Sequence, residues 1–331
     1  MNVYYIGSAL NLSALYMIAG SGAAVSIKSG ELNLGGEGQI YLGGFVCAVV
    51  LGGASHIQGT PSVPDILLGC LALALAFALP ALMTLLSAAL KRLRGADFLF
   101  TSFIASAAII PFIDGLIAGP ARSKTENLLA TPFIAPQLRL AQLLPPSPLN
   151  VSFIIALALC ILLWWLINRT SWGRQLTILG ISPRFAEFSA FPQNRLTYSS
   201  DALTGGLHGL CGAAAVLGTY YTCHQGFYSG MGWNAFSAAL IAKANPLLLI
   251  PSSLFMGFIT TYSNRYALYH NYGFDMSSLI QAAILFVIAF PPRALSVSRG
   301  QRERLQGPGS ARPHHRLIRG PHHRLTRGPQ V

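Results

Sequence analysis

The chain has 331 residues, of which 53% are hydrophobic and only 10% charged, with a mean hydropathy of +0.52. Ordinary soluble domains carry roughly 25% charged residues, so a globule of this size bathed in water is excluded, and lipid has to cover part of the surface. The net charge of +12 does not point to nucleic acid: eight of the 22 Lys and Arg lie in the last 33 residues and most others sit in short loops between apolar runs, the pattern of the positive-inside rule.

No charged side chain occurs before Lys28. The run from Val3 to Ile27 lacks the basic start and small-residue cleavage site of a signal peptide and reads as a retained first span. A bilayer crossing takes about 20 apolar residues, and spans are expected near 5–27, 39–54, 66–90, 98–118, 151–168, 201–222, 233–242, 246–264 and 276–291. Two of them, 39–54 and 233–242, are short and follow glycine-rich stretches, which predicts broken or re-entrant helices. Irregular backbone at membrane depth is tolerated only beside protein or a water-filled cavity. The expected fold is an all-α polytopic membrane bundle of eight to ten transmembrane helices over residues 1–295. The five Cys are scattered without CxxC spacing and read as apolar fillers, so no metal is expected.

Ten Lys and Arg (Lys28, Lys91, Arg92, Arg94, Arg169, Arg174, Arg184, Arg195, Lys243, Arg293) fall on one side of this topology and four (Arg122, Lys124, Arg139, Arg265) on the other. The first side is therefore expected to be cytoplasmic, and the C-terminus with it. The Pro-rich loop 119–150 lies outside, as a docking surface or a plain connector. The tail 296–331 repeats Pro-His-His-Arg-Leu-x-Arg-Gly from Pro313 and Pro321. It reads as a disordered basic segment suited to anionic headgroups.

Four segments carry mechanism. In Gly30–Gln39, glycines alternate with Asn33, Glu37 and Gln39, whose hydrogen-bonding groups suit a broken backbone. Glu37 is either a functional ionisable group or a cap for loose N–H groups at a helix start. In 169–199, Ser182 and Pro183 start a short helix on which Phe185, Phe188 and Phe191 fall at helical spacing. The stripe fits a partner's groove or lies flat in the lipid interface. In Asp201–Gly218, Gly205, Gly209 and Gly212 make a face for close helix packing, and His208 is either a pathway residue or a hydrogen-bonded packing histidine. The last segment, Gly226–Asn234, is again a glycine-broken approach to an apolar helix, with Trp233 and Asn234 at its start. Two such interruptions, one in each half, point to a central substrate path. A phosphate loop of the G-x-x-x-x-G-K-[ST] type does not occur, so ATP, if used, binds another chain.

Together these segments resemble the ABC permease family of nucleoside and ribose-type importers. Gly30, Asn33, Leu34, Gly35, Glu37, Gly38 and Gln39 match the nucleoside branch's Gly-x-x-Asn-[Ile/Leu]-Gly-x-Glu-Gly-[Met/Gln] element. Gly180, Pro183, Arg184 and Ala186 fit the family's coupling segment, and Gly205, Gly206, Gly209 and Gly212 the span after it. Gly230, Gly232, Asn245, Pro246 and Gly257 fit the last element. The chain departs from the family at Thr177 (usually Arg), Ser182 (usually Asn) and Ala190 (usually Gly), and its tail has no counterpart. The resemblance implies a membrane permease subunit, not an enzyme, in the inner membrane. It carries no cofactor itself, and ATP and Mg sit on a partner ATPase. A second permease, identical or paralogous, and an extracytoplasmic substrate-binding protein or lipoprotein complete the assembly. The implied substrate pathway comprises Asn33, Glu37, Gln39, His208, Trp233 and Asn234. The implied coupling loop comprises Gly180, Ser182, Pro183, Arg184, Phe185, Ala186, Phe188 and Phe191. A purine nucleoside is the first expected solute, riboflavin or another aromatic metabolite the second, and a ribose-like sugar the third. An ion-coupled secondary transporter is the alternative from another class.

Overall fold

A computed structural model describes residues 3–52, 63–124, 127–270 and, singly, 279, 282, 283 and 286. The tail and nearly all of the expected span 276–291 lie outside the described residues. Ten α-helices are described: α1 (Val3–Ser29), α2 (Gly36–Gly52), α3 (Val63–Arg94), α4 (Phe98–Ala118), α5 (Ser152–Arg169), α6 (Ser171–Ile181), α7 (Pro183–Phe188), α8 (Gln193–Ala215), α9 (Met231–Ile241) and α10 (Pro246–Tyr269). Six of these are long and apolar enough to cross a bilayer, the sixth being α8 continued to Tyr220. The short apolar segments α2 and α9 are the two expected from their glycine-rich approaches. The protein is an all-α polytopic membrane bundle.

The helices sort by what they bury. α1 and α8 are mostly enclosed, whereas α3, α4 and α5 leave most of their residues exposed or half-buried. Leu67, Leu71, Phe100, Ile104, Phe112, Ile154 and Leu162 are among the outward side chains, a surface that only lipid or another subunit accommodates. Between lipid-bathed helices the hydrophobic effect supplies little attraction, and close packing of small residues takes over. α8 shows this against α2 and α3. A Cβ on Gly212 would lie 1.9 Å from the Ile40 carbonyl oxygen, and one on Gly209 would lie 2.0 Å from that of Ala76. The backbones approach so closely that no side chain fits at either position.

Helix ends follow local chemistry. The Asp97 carboxylate accepts from the Leu99 N–H at 3.1 Å to start α4. The Asn245 side chain accepts from Leu247 N–H, with Pro246 in the first turn of α10. α8 ends in a π-helical turn, Val216–Tyr220, followed by Tyr221 at φ +57°. Such wider turns re-aim side chains. The loop 119–150 packs down on this turn: Leu140 N–H donates to the Leu217 carbonyl, and Ile134 N–H to that of Tyr221.

The two ends of the bundle are chemically distinct. Lys28, the Lys91–Glu31 ion pair (2.9 Å) and the α6–α7 hairpin share one end. The start of α1, the loop 119–150 and the end of α10 share the other, tied by Asn150 Nδ2 donating to Asn11 Oδ1 at 2.9 Å and by the Arg265 guanidinium 4.1 Å from the Tyr5 ring.

Valine at Gly212 is expected to lower stability by at least ~1–3 kcal/mol, the usual cost of overpacking a tight site. Alanine at Gly69, which has open space around it, should be neutral or gain up to roughly 1 kcal/mol of helix propensity. Thermal melting in detergent distinguishes the two.

Candidate functional site

The break between α1 and α2 is the chemical centre of the bundle. Gly30 turns the chain at φ +80°, and the residues after it are non-helical up to Gly36. Buried away from water, a loose N–H or C=O costs several kcal/mol, so the buried ones need partners. Ser26 Oγ donates to the Glu31 carbonyl and accepts from Asn33 N–H at 2.8 Å. Gly35 N–H donates to Asn33 Oδ1 at 2.9 Å. Two serines of α4 reach across: Leu34 N–H donates to Ser102 Oγ at 3.3 Å and Gly38 N–H to Ser106 Oγ at 2.7 Å.

Asn33 then joins a three-member network. Its Nδ2 donates to Gln39 Oε1 at 3.0 Å, and Gln39 Nε2 donates back to Asn33 Oδ1 at 3.2 Å. His208 Nδ1 lies 2.8 Å from the same Gln39 oxygen. An amide oxygen accepts only, so Nδ1 is the protonated nitrogen in this arrangement and Nε2 is left as an acceptor. All three side chains are buried. The network joins the break to α8 through hydrogen bonds that lipid cannot replace.

Glu37, in the first turn of α2, faces the start of the second broken helix. A Cβ on Gly232 would lie 2.7 Å from the Glu37 backbone nitrogen and 2.9 Å from Glu37 Cγ, so the two helix starts touch there. One carboxylate oxygen, Oε1, is buried with no hydrogen-bond partner among the described residues. Glu37 thus sits against the start of α9 with one buried acceptor unused among the described residues. Asn33, Glu37, His208 and Trp233 line a common cleft with Gly36 and Phe236, whose space is about 10 Å3, the least that holds one water. Gln39 backs this cleft. Asn234 is buried nearby on α9 but does not line it.

At the basic end, Gly180 closes α6. A Cβ there would lie 2.2 Å from the Lys28 carbonyl oxygen, so the hairpin rests backbone to backbone on the Lys28–Gly30 turn. Ser182 joins α6 to α7 and its carbonyl accepts from Ala186 N–H, while its side chain makes no cap bond. Pro183 opens α7 as expected. Ala186 is fully buried, whereas Arg184, Phe185 and Phe188 point away, Phe188 being 92% exposed. The three-phenylalanine stripe is shorter than its spacing suggested. α7 stops at Phe188, and Phe191 N–H bonds back to the Ala186 carbonyl around Ala190 at φ +53°, a six-to-one closure of the Schellman type. Phe191 folds against the Leu176–Leu196 cluster. Ala190 adopts the left-handed conformation that glycine favours, which accounts for the glycine usual at this place in the family.

Two features were not singled out from the sequence. Asp201 of α8 is 1% exposed, with neither carboxylate oxygen partnered among the described residues, close to Glu31, Lys91 and Arg92. A chamber lined by Tyr4, Tyr5, Asn11, Thr219, Asn264 and Arg265 opens at the other end. Its residues come from separate stretches of chain, and the tyrosines read equally well as interfacial anchors.

The family profile described as "Branched-chain amino acid transport system / permease component" matches residues 5–289. The chain belongs to this ABC permease family. Membership makes it a transport subunit and implies an ATPase and a substrate-binding partner. The protein described as the probable riboflavin import permease RfuC of Treponema pallidum is 32% identical over 290 residues, covering 86% of this chain and 74% of that protein. The guanosine ABC transporter permease NupP of Bacillus subtilis is 24% identical over 264 residues, covering 77% and 72%. Among solved structures, PsaBC from Streptococcus pneumoniae in complex with Fab aligns with a TM-score of 0.49 at 15% identity, covering 90% of this chain and 96% of that one.

Leucine at Gln39 removes the oxygen that serves both Asn33 and His208 and strands two buried donors. Each stranded group costs about 1–3 kcal/mol. The variant is expected to melt well below the wild type in detergent, and an unchanged melting point would contradict the network.

Proposed function

We infer that this chain is the permease of an ATP-driven importer for a flat nitrogen heterocycle carrying a hydroxylated chain, with riboflavin the leading solute and a purine nucleoside the second. The observation that carries this reading is the 32% identity to a riboflavin import permease across 86% of the chain, with a guanosine permease matching at lower identity. The two solutes share one chemistry: a planar ring with carbonyl and N–H edges joined to a polyol or ribose. This ordering reverses the one drawn from the sequence motifs.

In this reading the basic end faces the cytoplasm and α7 is the coupling helix. Its buried face holds it to the bundle through Ala186, while Phe185 and Phe188 are free for a groove on the ATPase. Glu187 and the stretch Phe191–Arg195 edge an open recess of about 550 Å3 beside it, which enlarges the docking face. Closure of the ATPases moves α7 and α6. Gly180 pushes on the Lys28–Gly30 turn, and that turn leads directly to Asn33 and the network with Gln39 and His208. The cleft beside Glu37 and Trp233, closed to solute at about 10 Å3, opens as this network rearranges. Such a switch needs ATP to bind the two states with different affinity. A second permease and an extracytoplasmic binding protein complete the route.

Uptake of labelled riboflavin and guanosine by cells expressing the chain with its ATPase and binding protein tests the solute. Riboflavin accumulation is expected, and accumulation of neither would overturn the reading. Phe188→Asp should lower uptake and ATPase stimulation about tenfold or more, as loss of a buried anchor worth ~2 kcal/mol does, without loss of the folded permease. Gly180→Ala should leave the ATPase bound but uncouple its hydrolysis from uptake.

A further inference from the structure

At the end of the bundle opposite α7, the first turns of α1, the last turns of α10 and the π-helical turn border an open chamber of about 320 Å3. It continues into an apolar cleft of about 530 Å3 between α1 and α10, and the two share Tyr5, Thr261 and Arg265. Either volume falls in the range of small-molecule sites, whereas the cleft at Glu37 does not. The chamber's chemistry is specific. The Arg265 guanidinium sits over the Tyr5 ring at 4.1 Å, and the Tyr4 ring meets Tyr5 edge-on at 5.7 Å. Tyr220, aimed inward by the π-helical turn, adds a third ring.

The polar wall is held rigidly. Asn11 Nδ2 donates to Thr219 Oγ1 at 2.9 Å, and Asn11 Oδ1 accepts from Asn150 Nδ2, which also donates to the Gly218 carbonyl at 2.9 Å. An interfacial aromatic belt accounts for tyrosines at this depth. It does not account for an arginine stacked on one of them inside a ligand-sized space backed by amides. A guanidinium and a phenol presented side by side suit a planar ring with carbonyl acceptors: the ring stacks, and the cation meets the carbonyls.

We propose that this chamber is the docking position for the solute's ring on its way into the bundle, with Tyr5 and Arg265 as the stacking pair and Thr261 and the Asn11 edge toward the hydroxylated chain. The proposal rests on the heterocyclic solute read above and adds where this chain first holds it.

Flavin fluorescence gives a direct readout, because a stacked isoalloxazine is quenched. Riboflavin titrated into the purified permease in lipid nanodiscs is expected to show saturable quenching. Tyr5→Leu and Arg265→Gln should each weaken binding about tenfold, the scale of losing one stacking or cation–π contact, while Tyr5→Phe stays near wild type. The same two variants should raise the KM for uptake in the full transporter and leave kcat nearly unchanged. Arg265 is exposed, so its replacement by glutamine leaves the bundle packed, and a melting curve for each variant verifies this. Uptake of riboflavin with unaltered KM in both variants would remove the chamber from the route and leave the solute assignment standing. Quenching absent from the wild type while a lipid fills the chamber would likewise overturn the proposal. A wild type that carries neither riboflavin nor guanosine defeats the solute reading itself, and this proposal with it.

Discussion

A buried backbone has no water to bond to, so a polypeptide that interrupts a helix inside a bundle has to bring its own partners. The rest of the structure depends on how this chain meets that demand between Ser29 and Gly36. Ser26 serves the backbone on one side, Asn33 closes on Gly35, and Ser102 and Ser106 reach over from α4. The side chains that remain, Gln39 and His208, tie the break to α8. The polar centre is thus first a solution to a backbone problem.

The second constraint is mechanical. Where side chains intervene, a push at one end of a bundle is absorbed by rotamer changes. Where backbones touch, it is passed on. Gly180 against the Lys28–Gly30 turn is such a contact, and it lies between the exposed phenylalanines of α7 and the break. On the far side, α8 meets α2 and α3 through Gly209 and Gly212 with no side chain between. Both contacts are backbone against backbone. The outer helices α4 and α5 carry phenylalanines, isoleucines and Leu162 facing out.

Much of this was legible in the sequence. The span 98–118 coincides with α4, and the glycine-rich approaches to 39–54 and 233–242 mark the two short helices. Composition reports lipid-facing length directly, which is why these agree. α8 was harder to place: it starts at Gln193, eight residues before the expected span, because its first turns stand clear of the hydrocarbon and are polar. Phe191 was misplaced on α7 because the stop signal, a left-handed residue after the helix, is an alanine here in place of glycine. Asn33, Glu37, Gln39 and His208 could be singled out as polar groups in apolar runs, but their pairing could not. His208 bonds Gln39 across 169 residues, and periodicity holds no information at that separation. The chamber at Tyr5 and Arg265 was invisible for the same reason, since four segments contribute to it.

The residues between α1 and α2 form a hydrogen-bonded break, with the Asn33, Gly35 and Gly38 amides paired, and not a loose loop. Hydrogen exchange of the backbone amides over residues 33–38, measured in lipid nanodiscs, tests this most directly. Protection of the Asn33, Gly35 and Gly38 amides comparable to that of the α1 interior is the predicted result. Exchange at the rate of an unstructured peptide would contradict it.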